Sequence, residues 1–337
     1  MKIAFLVCDN GFGHIKRCLL IAYYLSSKGF SVDLYGNEKG FKIANSLEIK
    51  FKNHPNLIPW NFSYKIKYFL SNSCKKLKII EKIPPLEIYD LVFSDNILEV
   101  LLLRQDTIFI SQFFWHEVLK DIDNDYRKKC REIIKKFKPI ILGDQYFSMD
   151  YIKNSKNYIS TGLFSLGIQK ENSEENSHNR KDLLITIGNT NQSCDLIKNL
   201  INKIKNEKNL FFNNLYLEDC LIPKNPPSWI KSFNYTQTQL KNIKACICRP
   251  GLGIISDCIE YKIRIYSIFE EKNLEMEHNS FVIKRLGIGE KIINNDLTHI
   301  KNYFITPSSE AKVSSKIMDF NLSGVYDVYN FIKDNYT

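Results

Sequence analysis

The chain has 337 residues, more than one ordinary core needs and enough for two domains of roughly 100–200 residues. Hydrophobic residues make up 44% and charged residues 25%, the balance of a globular protein, and no apolar run approaches the ~20 residues that span a bilayer. The formal charge of +10 suits an anionic partner, whether nucleic acid, membrane surface or phosphorylated small molecule. The basic residues are spread widely, however, with local concentration only in 67–82 and 127–138, as on solvated helix faces.

The opening MKIAFLVC reads as a first strand (2–8), not as a signal peptide. Nine cysteines are scattered without a CxxC pair, several inside apolar runs. They read as reduced core residues of a cytoplasmic protein, not as a disulfide frame or a zinc site. An amphipathic stretch follows from Ile15 to Lys28, then SVDLYG (31–36) and IKFKNH (49–54) as strands. DLVFSD (90–95), TIFIS (107–111), PIILGD (139–144) and NYISTG (157–162) continue the series, with a long charged helix ending near Lys138. Strands rich in apolar and β-branched residues, alternating with helices, imply a parallel sheet covered on both faces.

The polar stretch 167–182 reads as a linker, after which the pattern restarts. LLITIG (183–188), LFFNNLYLE (210–218), KSFNY (231–235), ACICR (245–249) and IRIYSIF (263–269) are predicted strands. Helices are predicted at 195–207, 254–261, 274–287 and 324–336. The expected organisation is therefore an N-terminal domain (1–166), a linker (167–182) and a C-terminal domain (183–337), the last helix being free to pack back on the N-domain.

In open parallel sheets, ligands bind beyond the carboxyl ends of the strands. The first such place is GFGHIKR (11–17), where Gly11, Phe12 and Gly13 lead into His14, Lys16 and Arg17. Two glycines before a helix suit a phosphate cradle. A neutral imidazole in the same turn suits a general base. These residues alone favour neither. Asp95 and Gln112, His116, Glu117 follow two further strands. An Asp95 beside His14 would orient the imidazole, and Phe113, Phe114 and Trp115 line an acceptor site or pack into the core. In the second half, CRPGLGIISD (248–257) opens a helix. Gly251 and Gly253 shape its turn, Arg249 can pair with phosphate, and Asp257 can accept bonds from ribose hydroxyls. Gly188, Asn189 and Thr190 offer amides and a hydroxyl after another strand. Glu270 and Glu271 end a strand, and Glu275 and Asn279 share a helix face at i,i+4, suited to sugar hydroxyls or to the helix macrodipole.

Together these stretches resemble the GT-B glycosyltransferases. NGFGHIKRCLLIA is similar to the opening of the UDP-sugar hydrolase of pseudaminic acid synthesis and to the GGTGGH loop of the lipid II-forming N-acetylglucosaminyltransferase. CRPGLGIISD followed by EMEHNSFVIKRLGIG resembles the family's donor-site pattern. The resemblance implies an α/β fold of the GT-B kind, two Rossmann-like domains with parallel sheets facing across a cleft. It covers Gly11, Gly13 and His14 in this half; joined to the strand-end reading, the catalytic candidates are His14 and Asp95, with Gly11, Phe12, Gly13, Arg17, Gln112 and His116 on the acceptor side. Donor binding would fall to Gly188, Asn189, Thr190, Arg249, Gly251, Gly253, Ile254, Ser256, Asp257, Glu270, Glu275 and Asn279. Asp257 stands where a ribose-binding glutamate is usual, Ile254 where threonine is common, and Met276 where glutamine is.

The implied activity is metal-independent, inverting transfer of a sugar from a nucleotide-sugar, a UDP-sugar first, to a hydroxyl of a bacterial cell-envelope glycan, glycolipid or glycoprotein. The alternative is hydrolysis of the nucleotide-sugar. No metal or other cofactor and no nucleic acid is expected. The location is cytoplasmic, with the basic, aromatic segment 64–82 offering a peripheral contact to anionic membrane carrying a lipid-linked acceptor.

Overall fold

A computed structural model describes residues 1–44, 51–62, 84–120, 122–165, 180–187, 194–207, 210–270, 273–306, 313, 315–317 and 319–337. It divides into two units, one of Met1–Leu166, Lys272–Glu275 and Ser323–Thr337, the other of Gly167–Glu271 and Met276–Leu322.

The first unit is built on seven parallel strands: β1 (Lys2–Val7), β2 (Ser31–Gly36), β3 (Asn56–Pro59), β4 (Leu91–Asp95), β5 (Ile108–Ile110), β6 (Ile141–Asp144) and β7 (Tyr158–Thr161). Their order across the sheet is β3-β2-β1-β4-β5-β6-β7. Side chains alternate between the faces of a strand, and β1 shows the result. Ile3, Phe5 and Val7 enter one core cluster, while Ala4 and Leu6 enter the cluster on the opposite face. Phe5 stacks on its register partner Phe93 of β4 at 4.9 Å. Burial on both faces is why these runs are apolar throughout.

Helix α1 (Phe12–Ser27) begins three residues before the predicted Ile15. Gly11 makes the turn alone, with φ 117° and ψ 163°, a conformation nearly reserved to glycine. Gly13, His14, Lys16 and Arg17 are therefore helical residues, not loop residues. The charged helix α2 runs over Asn124–Phe137 and ends where Lys138 turns left-handed. The last helix, Gly324–Tyr336, packs on α1, where Tyr24 meets Tyr326 and Tyr329 with ring centroids 4.8 and 5.7 Å apart. Asp327 of that helix accepts a bond from the Gly162 amide at 2.7 Å.

The strand predicted at 49–54 lies instead at β3. There the Asn56 amide donates to Asp33 at 3.1 Å, and the Trp60 N–H donates to the Gly36 carbonyl at 2.7 Å. IKFKNH has the alternation of a strand, but NLIP holds the ladder to β2.

The second unit has six parallel strands: β8 (Asp182–Thr186), β9 (Leu215–Leu217), β10 (Ile230–Ser232), β11 (Ile243–Cys248), β12 (Arg264–Ser267) and β13 (Gly289–Lys291), ordered β10-β9-β8-β11-β12-β13. Asp182, assigned above to the linker, opens β8; residues 166–179 lie outside those described. The predicted 210–218 strand shrinks to β9, because Phe211 and Phe212 pack edge-to-face against each other and neighbouring rings. The three-residue edge strand β13 has no apolar signature and escaped prediction. Helices α3 (Cys194–Lys205), α4 (Leu252–Glu260) and α5 (Leu274–Leu286) follow the predicted runs. Among the described residues no helix is long and apolar enough to cross a membrane.

In each sheet the strand order reverses at one point, between β1 and β4 in the first unit and between β8 and β11 in the second. The two halves of the connection diverge there and leave a crevice for ligands. The chain just past β1 passes through Gly11. A Gly11→Ala variant is expected to lose about 1–3 kcal/mol of stability, read as a lower urea midpoint; an unchanged midpoint would show that the turn tolerates a side chain.

Candidate active site

The crevice of the first unit is occupied by two turns of α1 and the end of β4. His14 lies in the first turn of α1 and Arg17 three residues on, so both face the same side of the helix. Asp95 is the last residue of β4, in register with Val7 at the end of β1. The fold thus brings together three side chains separated by about 80 positions. His14 Nδ1 is 2.6 Å from Asp95 Oδ1. The Arg17 guanidinium grips the same carboxylate with both edges of its fork, Nε to Oδ2 at 2.6 Å and NH2 to Oδ1 at 2.5 Å. The third guanidinium corner, NH1, donates to Gln112 Oε1. Asp95 and Arg17 are 1% and 5% exposed, so this is a buried, bidentate, charge-assisted pair.

Burial alone would push the Asp95 carboxyl up, but the charges and bonds of Arg17 and His14 outweigh it and hold it at about 2. Burial likewise works against the Arg17 charge, and Asp95 overcomes it, raising Arg17 above the usual guanidinium range. An ionised carboxylate only accepts hydrogen bonds. His14 Nδ1 must therefore carry its proton toward Asp95, which leaves Nε2 as the acceptor. Cys18 Sγ adds a donor to Asp95 Oδ2 at 3.3 Å. Burial, with Asp95 beside it, pushes the Cys18 thiol up, so it remains a thiol.

Two aromatic rings border His14. Phe113 meets it edge-on with centroids 6.2 Å apart, and Trp115 lies tilted at 5.7 Å. The intervening Phe114 points the other way, stacking on His116 at 5.7 Å and on Tyr151. His116 was expected on the acceptor side. It is instead 2% exposed, packed on Phe114, with Nε2 3.4 Å from Glu117 Oε1. Burial pulls its imidazole below the ordinary histidine range despite Glu117. Alternation along an extended segment puts residues 113 and 114 on opposite sides. Arg17, placed above on the acceptor side, instead spends its charge on Asp95. Gly11, Phe12 and Gly13 are half-buried at the start of α1.

In the second unit the corresponding crevice holds the turn between β11 and α4. The Gly251 N–H donates to the Arg249 carbonyl at 2.7 Å, closing a tight turn around Pro250, and the Arg249 N–H ties it to Thr186 of β8 at 3.3 Å. Gly251 has an ordinary extended backbone (φ −76°), and a Cβ there would meet nothing within 4 Å. Its glycine keeps space open rather than permitting a conformation. Gly253 and Ile254 are half-buried in the first turn of α4, and Ser256 and Asp257 are buried on it. Asn279 is 3% exposed and donates to the Pro250 carbonyl at 2.9 Å, so it braces this turn. Glu270 is exposed after β12, and Glu275, in the stretch Lys272–Glu275 that belongs to the first unit, is half-buried in the first turn of α5, its N–H held by the Asn273 side chain at 2.8 Å. Gly188, Asn189 and Thr190, and the whole of segment 64–82, lie outside the described residues.

One cluster was not foreseen. Glu218, just past β9, accepts from the Thr186 hydroxyl at 2.5 Å, from the Tyr235 hydroxyl, and from the Ile187 N–H at 3.2 Å. It binds the ends of β8 and β9 beside the Arg249 turn. Its signal was present, a carboxylate closing a predicted strand. Among the described residues no group of three or more His, Cys, Asp or Glu could hold a metal ion.

Two units, each a parallel sheet wound in the Rossmann order and each with polar residues at its switch point, constitute the GT-B fold found in glycosyltransferases. No family model matches the chain. It is 24% identical to an uncharacterized glycosyltransferase of Methanosarcina mazei over 87% of this chain and 86% of that one. Among solved structures it is similar to the glycosyltransferase of kitacinnamycin (TM-score 0.62, 12% identity, 99% of this chain and 98% of that one). It is similar also to LpCGTa in complex with UDP (TM-score 0.63, 10% identity, 100% and 99%). At these identities the structural likenesses show the fold.

The Asp95 site makes a stability prediction. Because the folded-state carboxyl lies below its ordinary 3.8, the stabilisation it brings is present above about pH 4 and lost as pH falls toward 2, on the order of 2 kcal/mol. Asp95→Asn is expected to cost about 3–5 kcal/mol at pH 7, since it strands a buried Arg17. Chemical denaturation at several pH values should show the gap to the parent protein narrowing below pH 4; a constant gap would mean that the pair is not formed.

Proposed function

We propose that the protein is a glycosyltransferase that moves a sugar from a nucleotide-sugar to an acceptor hydroxyl. The observation that carries this reading is the His14–Asp95 pair. A carboxylate held ionised by Arg17 fixes the Nδ1–H tautomer, so Nε2 is turned into a base for a hydroxyl proton. The deprotonated oxygen attacks the anomeric carbon, the bond to the nucleoside diphosphate breaks, and the proton stays on His14. A single displacement of this kind inverts the anomeric centre.

The nucleotide falls to the second unit. The turn 249–253, braced by Asn279, opens α4 and leaves free space at Gly251. Backbone amides at that helix start and the Arg249 charge are suited to the departing diphosphate, a stabilisation that requires no metal. Asp257, buried on α4, is the candidate acceptor for a ribose or sugar hydroxyl. UDP is the first nucleotide to test, because LpCGTa, which shares the fold, is solved with UDP. Envelope glycans, glycolipids and glycoproteins are the acceptor classes to screen, in a cytoplasmic enzyme that reaches membrane-borne acceptors from the inner face. Hydrolysis of the nucleotide-sugar remains the second reading, since a His–Asp pair activates water as readily as an alcohol.

A thermal-shift panel of UDP, CMP, GDP and dTDP is expected to single out one nucleotide by a raised midpoint. Gly251→Ala should abolish that shift while leaving the unliganded midpoint nearly unchanged, because its Cβ enters open space. No shift with any nucleotide would overturn the donor-site reading. His14→Ala should lower turnover by about 10²–10⁴-fold with nucleotide binding retained. Loss of binding together with turnover would return His14 to the phosphate-cradle reading. Stoichiometric release of free sugar without acceptor would mark the hydrolase.

A further inference from the structure

Gln112 was expected to touch the acceptor. The structure ties it to Arg17 instead, and the details of that tie are informative. Arg17 can only donate, so the Gln112 amide must present Oε1 to NH1, and its orientation is fixed. Its Nε2 is buried and, among the described residues, has no partner. A buried amide that leaves its NH2 unsatisfied is retained at a cost, and only its oxygen is in use. The arrangement calls for a neutral acceptor at this corner of the guanidinium. A hydrophobic residue would strand NH1. A carboxylate would satisfy NH1 but would compete with Asp95 for the single positive charge.

We propose that Gln112 is a positioning residue for the His14–Asp95 pair, acting through Arg17: it anchors the free corner of the guanidinium with an uncharged oxygen, so that the full charge of Arg17 stays on Asp95. This rests on the reading of His14 as the base. The chain of contacts is short. Gln112 Oε1 holds NH1, Nε and NH2 hold the two Asp95 oxygens, and Asp95 Oδ1 holds His14 Nδ1. Arg17 NH2 also lies 3.1 Å from His14 Nδ1, so any rotation of the guanidinium disturbs the imidazole directly. The other groups around this centre are Cys18, bonded to Asp95, and Asp144 of β6 and Glu275 in the same unit, both within electrostatic range of Arg17.

Two substitutions separate this role from the alternatives. Gln112→Leu removes the anchor, and kcat is expected to fall about tenfold with KM for the nucleotide-sugar within twofold. Gln112→Glu restores an anchoring oxygen but adds a negative charge. That charge favours imidazolium, so the acidic limb of the pH–kcat/KM profile is expected to move up by about one pH unit, with near-parent turnover recovered on its alkaline side. A rise in KM with kcat unchanged would place Gln112 on the substrate and overturn the proposal. A lowered unfolding midpoint with unchanged kinetics would make it a packing residue, and would overturn it too. The imidazole titration of His14, followed by NMR in the parent protein and in Gln112→Glu, reads the same effect without turnover: an upward move of its midpoint supports the proposal, and an unmoved midpoint overturns it. If no nucleotide-sugar supports turnover of the parent protein, the glycosyltransferase reading fails while the NMR result still decides the role of Gln112.

Discussion

The first unit's site depends on one buried ion pair, the grip of Arg17 on Asp95. Burying a carboxylate and a guanidinium costs several kcal/mol per ion, and the pair survives because both edges of the fork meet both carboxylate oxygens. Such a pair is poor evidence of stability for its own sake. Its consequence is directional. With Asp95 ionised and its two oxygens assigned, the His14 ring has a single low-energy arrangement, Nδ1–H inward and Nε2 outward. The same guanidinium holds Gln112, so a single residue of α1 sets the state of side chains from two neighbouring strand ends.

That centre can form only because of where the sheet reverses. β1 and β4 are neighbours although their register partners Val7 and Asp95 lie 88 positions apart in the chain; the crossover from β3 to β4 returns the chain to the far side of β1. The helix leaving β1 then runs on one side while β4 ends on the other, and His14 and Arg17 on the first turns of α1 reach the end of β4. The second unit repeats the arrangement, with α4 leaving β11 next to the end of β8. The polar clusters at the two switch points differ in character. The first is closed on itself around Asp95. The second has a glycine facing open space and a turn braced by Asn279.

Much of this frame was legible in the chain. Apolar, β-branched runs located nearly every strand, because a strand buried on both faces cannot hide its composition. The exceptions are instructive. β13 is Gly-Glu-Lys at a sheet edge, where one neighbour suffices and no apolar run is required. IKFKNH alternates well, yet the ladder to β2 is formed by NLIP, since pairing depends on a partner that local pattern does not contain. The start of α1 was misplaced because Gly13 looks like a turn residue, whereas Gly11 alone absorbs the unusual backbone angle.

The site was legible as a set of strand-end residues but not as a set of contacts. His14 and Asp95 were each marked as following a strand and their pairing was expected, but across a separation of 81 positions only the fold shows the bond. Arg17 is the clearest case. An arginine three residues after a histidine on a helix looks like a solvated or anion-facing cation, and only the tertiary structure shows the carboxylate that uses its charge. Once that charge is spent, Arg17 is no longer a phosphate ligand, and the division of labour between the units sharpens. On the proposed reading, the first unit supplies a base, His14, flanked by Phe113 and Trp115 and suited to a hydroxyl on an uncharged group. On the same proposed reading, recognition of a diphosphate then falls to the second unit, where Arg249 stands at a strand end beside the open start of α4. The phosphate cradle first suggested by GFGHIKR is thus displaced by the neutralisation of its own arginine.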